Sequence, residues 1–132
     1  MKIVNQVEEF IPTEHVEQAH YVNKLKEMGI KYYKIPNENL LLSKLSKFEA
    51  TKLISYLKAE GYVPGAADLA LHTNPTIFVE MKRRKKSTQS ETQKQFQKVA
   101  EECGQIYILG KGSDDAWKKT EIALNGIGYW KN

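Results

Sequence analysis

Val16, Ala19, Val22 and Leu25 recur at three-residue steps, a spacing that keeps side chains near one side of a helix. Thr13 stands where its N-cap would be, and Glu14 lies in the first turn, where the helix dipole favours an acid. Met28-Gly29 supplies the stop. The pattern then alternates over residues 30–35, which reads as a strand closed by Pro36-Asn37. Leu40-Leu41-Leu42 fits neither period. Ser46 to Glu60 reads as a second helix, with Phe48, Leu53, Ile54 and Leu57 as its apolar side and Gly61 as its end. Two short β-prone runs follow, Leu69-Ala70-Leu71-His72 and Thr76-Ile77-Phe78-Val79, with His72-Thr73-Asn74-Pro75 between them reading as a turn.

Ser87 to Glu102 predicts a third helix, polar on most faces, with Phe96, Val99 and Ala100 turned inward. Gln105 to Leu109 reads as a buried strand, and a last helix runs from about Asp114 to Leu124. The tail from Gly126 to Trp130 reads either as a short edge strand or as irregular chain. Residues 1–12 read as an irregular lead-in. The order α-β-α-β-β-α-β-α predicts an α/β fold, a small mixed sheet flanked by helices. The length of 132 residues predicts one domain over 1–132, with its core from about 13 to 124.

Composition narrows the class. Apolar residues make up 41% and charged residues 27%, the balance of a water-exposed globular chain. No apolar run approaches the 18 residues that would span a bilayer, and the acidic start, Met1 to Glu9, lacks a signal-like apolar region. A single cysteine, Cys103, excludes an internal disulfide and a cysteine-built zinc site. A cytoplasmic location is the resulting expectation. The net charge of +4 permits a polyanionic partner but does not require one. Its distribution says more, because Lys82-Arg83-Arg84-Lys85-Lys86 places five cations in a row.

That run begins inside the most chemically loaded part of the chain. Asp68 opens one predicted strand and Glu80 ends the next, twelve residues later. Pairing the strands would bring the two acids together. Glu80 and Lys82 lie two apart, so both project from one side of their strand. Two carboxylates and an ammonium at one sheet end suit metal-assisted hydrolysis of a phosphodiester. Mg²⁺ prefers hard oxygen donors, which Asp68, Glu80 and the backbone carbonyl of Met81 would provide. Lys82 would orient the attacking water or stabilise charge on phosphate. Arg83, Arg84, Lys85 and Lys86 would hold flanking DNA phosphates without reading sequence. Taken singly, each residue is more simply a turn cap or a surface charge pair. Glu80 follows the apolar Phe78-Val79, however, and an acid there is costly unless a cation offsets it.

The ordered set resembles the VRR-NUC branch of the PD-(D/E)XK nuclease superfamily, over roughly Thr13 to Trp117. Gly65-Ala66-Ala67-Asp68-Leu69 is similar to the family's Gly-x-Pro-Asp-Leu, and Phe78-Val79-Glu80-Met81-Lys82 to its Glu-x-Lys strand. Ser90-Glu91-Thr92-Gln93 resembles its Ser-x-x-Gln helix start, Ile35-Pro36-Asn37 its Ile-Pro-Asn turn, and Thr13 to Gln18 its opening helix. Ala67 replaces the family's proline, and Glu38-Asn39 stands where Gly-Gly is frequent. The resemblance implies a restriction-endonuclease-like core and Mg²⁺- or Mn²⁺-dependent cleavage of DNA. It implies metal-binding roles for Asp68 and Glu80, a catalytic role for Lys82, and an ordering role for Gln93. An acid from the first helix would complete the site, with Glu14 and Glu17 as alternatives. Stand-alone members resemble phage-encoded, structure-specific nucleases, which implies branched or Holliday-junction-like DNA as substrate and a homodimer as the working unit. The alternative is a basic nucleic-acid-binding module that does not cut. It would keep the cationic run but would have no use for Asp68, Glu80 and Gln93 in order.

Overall fold

A computed structural model describes residues 10–36, 42–85 and 87–131 of the chain. Helix α1 spans Glu14–Glu27, β1 Tyr32–Lys34, α2 Lys47–Ala59, β2 Leu69–Leu71 and β3 Ile77–Lys82. Helix α3 spans Glu91–Glu102, β4 Ile106–Lys111 and α4 Ser113–Gly126. Among the described residues, four strands form one sheet in the order β1-β2-β3-β4. The first two pairings are antiparallel and β3–β4 is parallel, so the sheet is mixed as expected. No helix is long and apolar enough to cross a membrane, among the described residues.

The side-chain alternation of β3 divides the molecule. Ile77, Val79 and Met81 are fully buried and join Tyr21, Leu25, Ala116 and Leu124, so α1 and α4 cover that face. Phe78 and Glu80 point the other way, to α3: Phe78 meets Phe96 edge-on and Glu80 meets Gln93. One face of the strand is thus core, and the other carries the acid. At the sheet edge formed by β4, Lys119 donates to the carbonyl of Leu109 at 2.8 Å. Asp115 accepts from the Lys111 N–H at 2.9 Å, so side chains of α4 occupy backbone groups along that edge.

Several elements differ from their sequence patterns for identifiable reasons. The buried residues of α1 are Glu17, Tyr21 and Leu25, whereas Val16 and Ala19 are exposed. Four-residue steps drift less around a helix than three-residue ones, and Tyr21 brings the larger area to bury. Tyr21 also bonds Thr120 at 2.6 Å, which satisfies its hydroxyl inside the core. Helix α2 has no fully buried residue, and Phe48 is 70% exposed rather than part of an apolar underside. Helix α3 starts at Glu91, not Ser87, because Ser90 and Gln93 form a reciprocal capping box. The tail after Gly126 turns without forming a strand, and Tyr129 packs against the core. Asn37 to Leu41, residues 1–9 and Lys86 lie outside the described residues.

Candidate active site

The backbone register sets up the centre. Leu69 lies opposite Val79, so Asp68 arrives one step before β2 beside Glu80 and Met81. One carboxylate oxygen of Asp68 accepts from the Met81 N–H at 2.7 Å. This bond fixes Asp68 against the very strand that carries Glu80. The approach depends on Gly65, whose φ is +80°. A Cβ there would lie 2.4 Å from the carbonyl carbon of Thr92 and 2.6 Å from the Gln93 nitrogen. The loop carrying Asp68 can rest on the first turn of α3 only because residue 65 has no side chain.

Gln93 is held at both ends of its amide. Its oxygen accepts from the Ser90 N–H at 2.9 Å as half of the capping box. Its nitrogen donates to Glu80 at 2.5 Å. Glu80 is 2% exposed. Burial, and then the neighbouring Asp68 carboxyl, push the Glu80 carboxyl far above its ordinary range, and Lys82 only partly opposes them. Two acids pressed together in a buried place cannot both ionise without a cation. Hard oxygen donors, one of them nearly sealed from water, are the donor set that a divalent ion prefers. Among the described residues no group of three or more Asp, Glu, His or Cys side chains converges on one point. Asp68, Glu80 and the Met81 carbonyl therefore remain the candidate ligands.

The first-helix acids separate. Glu14 is exposed at the site's edge; partial burial of its carboxyl raises its pKa, with Lys82 pulling it down and Asp68 pushing it up. Its electrostatic neighbours are thus the groups of the candidate site. Glu17 faces elsewhere. It is 1% exposed, pairs with Arg84 at 2.9 Å and accepts from the Ser113 hydroxyl at 3.3 Å. Burial alone would raise the Glu17 carboxyl, but Arg84 and Ser113 outweigh it and hold it low.

The cationic run is divided as well. Lys82 is half-buried at the end of β3, while Arg83 donates to the carbonyls of Ile11 and Pro12 and Arg84 is joined to Glu17. Lys85 is exposed, and Lys86 lies outside the described residues. The expected phosphate track therefore has two arginines already bonded within the protein. Sequence reading missed Tyr107, the register partner of Phe78 on β4. Burial pushes its hydroxyl up to about 12; Gln89, which bonds it at 3.2 Å, pulls it down, and the Glu80 and Asp68 charges add to the rise. The available signal was a single hydroxyl-bearing side chain within the otherwise apolar run Ile106 to Leu109.

No family model and no curated protein matches the chain. Among solved structures, a VRR_NUC domain protein superposes with a TM-score of 0.67 at 17% sequence identity, over 88% of this chain and 91% of that one. The likeness covers most of both chains, so this chain shares the α/β fold of that VRR_NUC domain protein, in line with the restriction-endonuclease-like core that the sequence resemblance implies.

Proposed function

We propose that the protein is a divalent-metal-dependent endonuclease that hydrolyses phosphodiester bonds in DNA. The observation that carries this reading is the buried Glu80 carboxyl, set against Asp68 and oriented by Gln93, on the strand that ends in Lys82. A cluster of that kind has no evident use in stability, since a buried acid pair opposes folding. Bound Mg²⁺ or Mn²⁺ would polarise the phosphoryl oxygen and acidify a bound water. Asp68, Glu80 and the Met81 carbonyl would hold the ion. Gln93 keeps Glu80 in its ligating orientation, and the Asp68–Met81 bond does the same for Asp68. Lys82 supplies positive charge next to the phosphate undergoing attack. Glu14 completes the acidic edge and is favoured over Glu17 because its field is shared with Lys82 and Asp68.

Branched DNA is the substrate class that the resemblance carries forward, and two copies related by a two-fold axis would make paired cuts. A binding module without cleavage fits less well. Acids turned toward a phosphate backbone weaken binding unless a cation lies between them.

The test is a panel of four-way junction, flap and linear duplex DNA, each with Mg²⁺, Mn²⁺ or chelator. Cleavage that requires the metal, and is lost in Asp68→Ala, Glu80→Ala and Lys82→Ala with the circular dichroism spectrum unchanged, is the expected result. Absence of metal-dependent cleavage on every substrate overturns the proposal.

A further inference from the structure

The three residues that leave the sheet at the end of β3 each fasten a different part of the molecule. The Lys82 carbonyl accepts from the Gly112 N–H at 2.9 Å. The Arg83 guanidinium donates to the carbonyls of Ile11 at 2.9 Å and Pro12 at 3.3 Å, just ahead of α1. The Arg84 Nε donates to Glu17 at 2.9 Å, inside the first turns of α1. The second oxygen of Glu17 accepts from the Ser113 hydroxyl at the start of α4. Gly112 makes room for this junction. A Cβ there would stand 2.6 Å from a Glu17 oxygen and 2.8 Å from the Arg84 Cγ.

A helix end must be placed both along its axis and in rotation about it. Arg83 holds the chain entering α1, which sets the first. The Arg84–Glu17 pair holds a side chain at one azimuth, which sets the second. Glu14 lies three residues before Glu17, so a rigid turn carries that azimuth to it. If Arg84 reached instead for a DNA phosphate, a nearly fully buried carboxylate would lose its partner. That loss outweighs what a single solvent-exposed phosphate contact returns.

We infer that Arg83 and Arg84 are positioning residues, which seat the first turn of α1 so that Glu14 faces Asp68, Glu80 and Lys82, and that Arg84 is not a phosphate contact. This rests on the proposed nuclease reading and assigns two of its cations a different task.

The test compares wild type with Arg84→Gln, Glu17→Gln, the double variant and Arg84→Lys. Three quantities are measured: binding of a labelled four-way junction in chelator across a salt series, Mn²⁺ binding by calorimetry without DNA, and kcat and KM of cleavage. In Arg84→Gln the slope of log K against log salt stays at the wild-type value, whereas loss of a phosphate contact would reduce it by about 0.9. Its Mn²⁺ affinity falls roughly tenfold, and kcat falls similarly with KM unchanged. The double variant is no worse than either single one, because each breaks the same pair. Arg84→Lys, which keeps a cation for Glu17, recovers most of the Mn²⁺ affinity. If Arg84→Gln does not fold, the near-isosteric Glu17→Gln carries the same measurements.

A reduced salt slope with Mn²⁺ binding and kcat intact makes Arg84 a phosphate contact and overturns the inference. A lower melting temperature with unchanged Mn²⁺ affinity and kcat makes the pair a scaffold only and overturns it as well. A wild-type protein that neither binds Mn²⁺ nor cuts overturns the nuclease reading and this inference together. A wild type that does both, beside variants that match it, overturns this inference alone.

Discussion

The amide of Gln93 joins two jobs at one group: its oxygen closes the capping box of α3 and its nitrogen holds Glu80 at 2.5 Å. The fold of the helix start and the orientation of the buried acid are therefore one constraint. Replacing Gln93 separates their sizes. Gln93→Ala should cost about 1 kcal/mol of stability, the usual worth of a cap contact. Its effect on the ion should be larger, a roughly 10- to 100-fold loss in Mn²⁺ affinity and cleavage. Denaturant melts and calorimetry on one preparation check both. Equal, small effects on the two would show that Gln93 serves the helix alone.

The Glu80 carboxyl gives a pH signature with a definite sign. Its folded-state pKa lies well above the ordinary 4.5, because of burial and then Asp68. The folded protein thus holds a proton that the unfolded chain releases. Without metal, stability is greatest below about pH 4.5 on this account and declines as pH rises through neutrality, by at most about 1.4 kcal/mol per unit. Metal binding must displace that proton, so affinity rises with pH over the same range. Calorimetry in buffers of different ionisation enthalpy measures the release directly. Binding that releases no proton at pH 7 would contradict the acid's raised pKa.

Glu80→Gln tests the cost of keeping that acid. The variant retains shape and the capacity to bond Gln93 but carries no charge. Its metal-free melting temperature at pH 8 should equal or exceed that of wild type, while the rise on adding Mg²⁺ and the cleavage are both lost. A melting temperature several degrees below wild type would show that the ionised acid itself stabilises the fold.

Gly65→Ala probes the seat of Asp68. The new methyl would meet the backbone of Thr92 and Gln93 well inside contact distance, at a φ of +80° that side chains disfavour. A loss of at least about 2 kcal/mol is expected, from strain and from displacement of the loop. Gly61→Ala is the control: its φ is also positive, but nothing lies within 4 Å. It should cost only the backbone term, about 1 kcal/mol. Chemical denaturation of the two variants side by side is sufficient.

Legibility in the sequence followed how local the cause was. Thr13 bonds the Val16 N–H and caps α1 as its position in the sequence predicts, because capping needs only neighbours. The pairing of the Asp68 and Glu80 segments was readable because a short turn between two apolar runs leaves few other arrangements. The exposure of Phe48 was not readable, since a helix's apolar side becomes core only if another element arrives to cover it. The division between Glu14 and Glu17 was also hidden. It depends on Arg84, 67 residues away from Glu17, which no periodicity around the first helix records.

Strand β3 is in effect written in two interleaved alphabets, with Ile77, Val79 and Met81 spelling the core and Phe78, Glu80 and Lys82 spelling the opposite face. A loss or gain of one residue between Ile77 and Glu80 would exchange the alphabets, driving a carboxylate into the packing of Tyr21 and Leu25 and turning Val79 or Met81 toward Gln93. Two-residue changes alone preserve the reading frame. Lineages that keep this fold should therefore vary the length of the chain before Gly65 and after Arg84 and leave the count within the strand untouched.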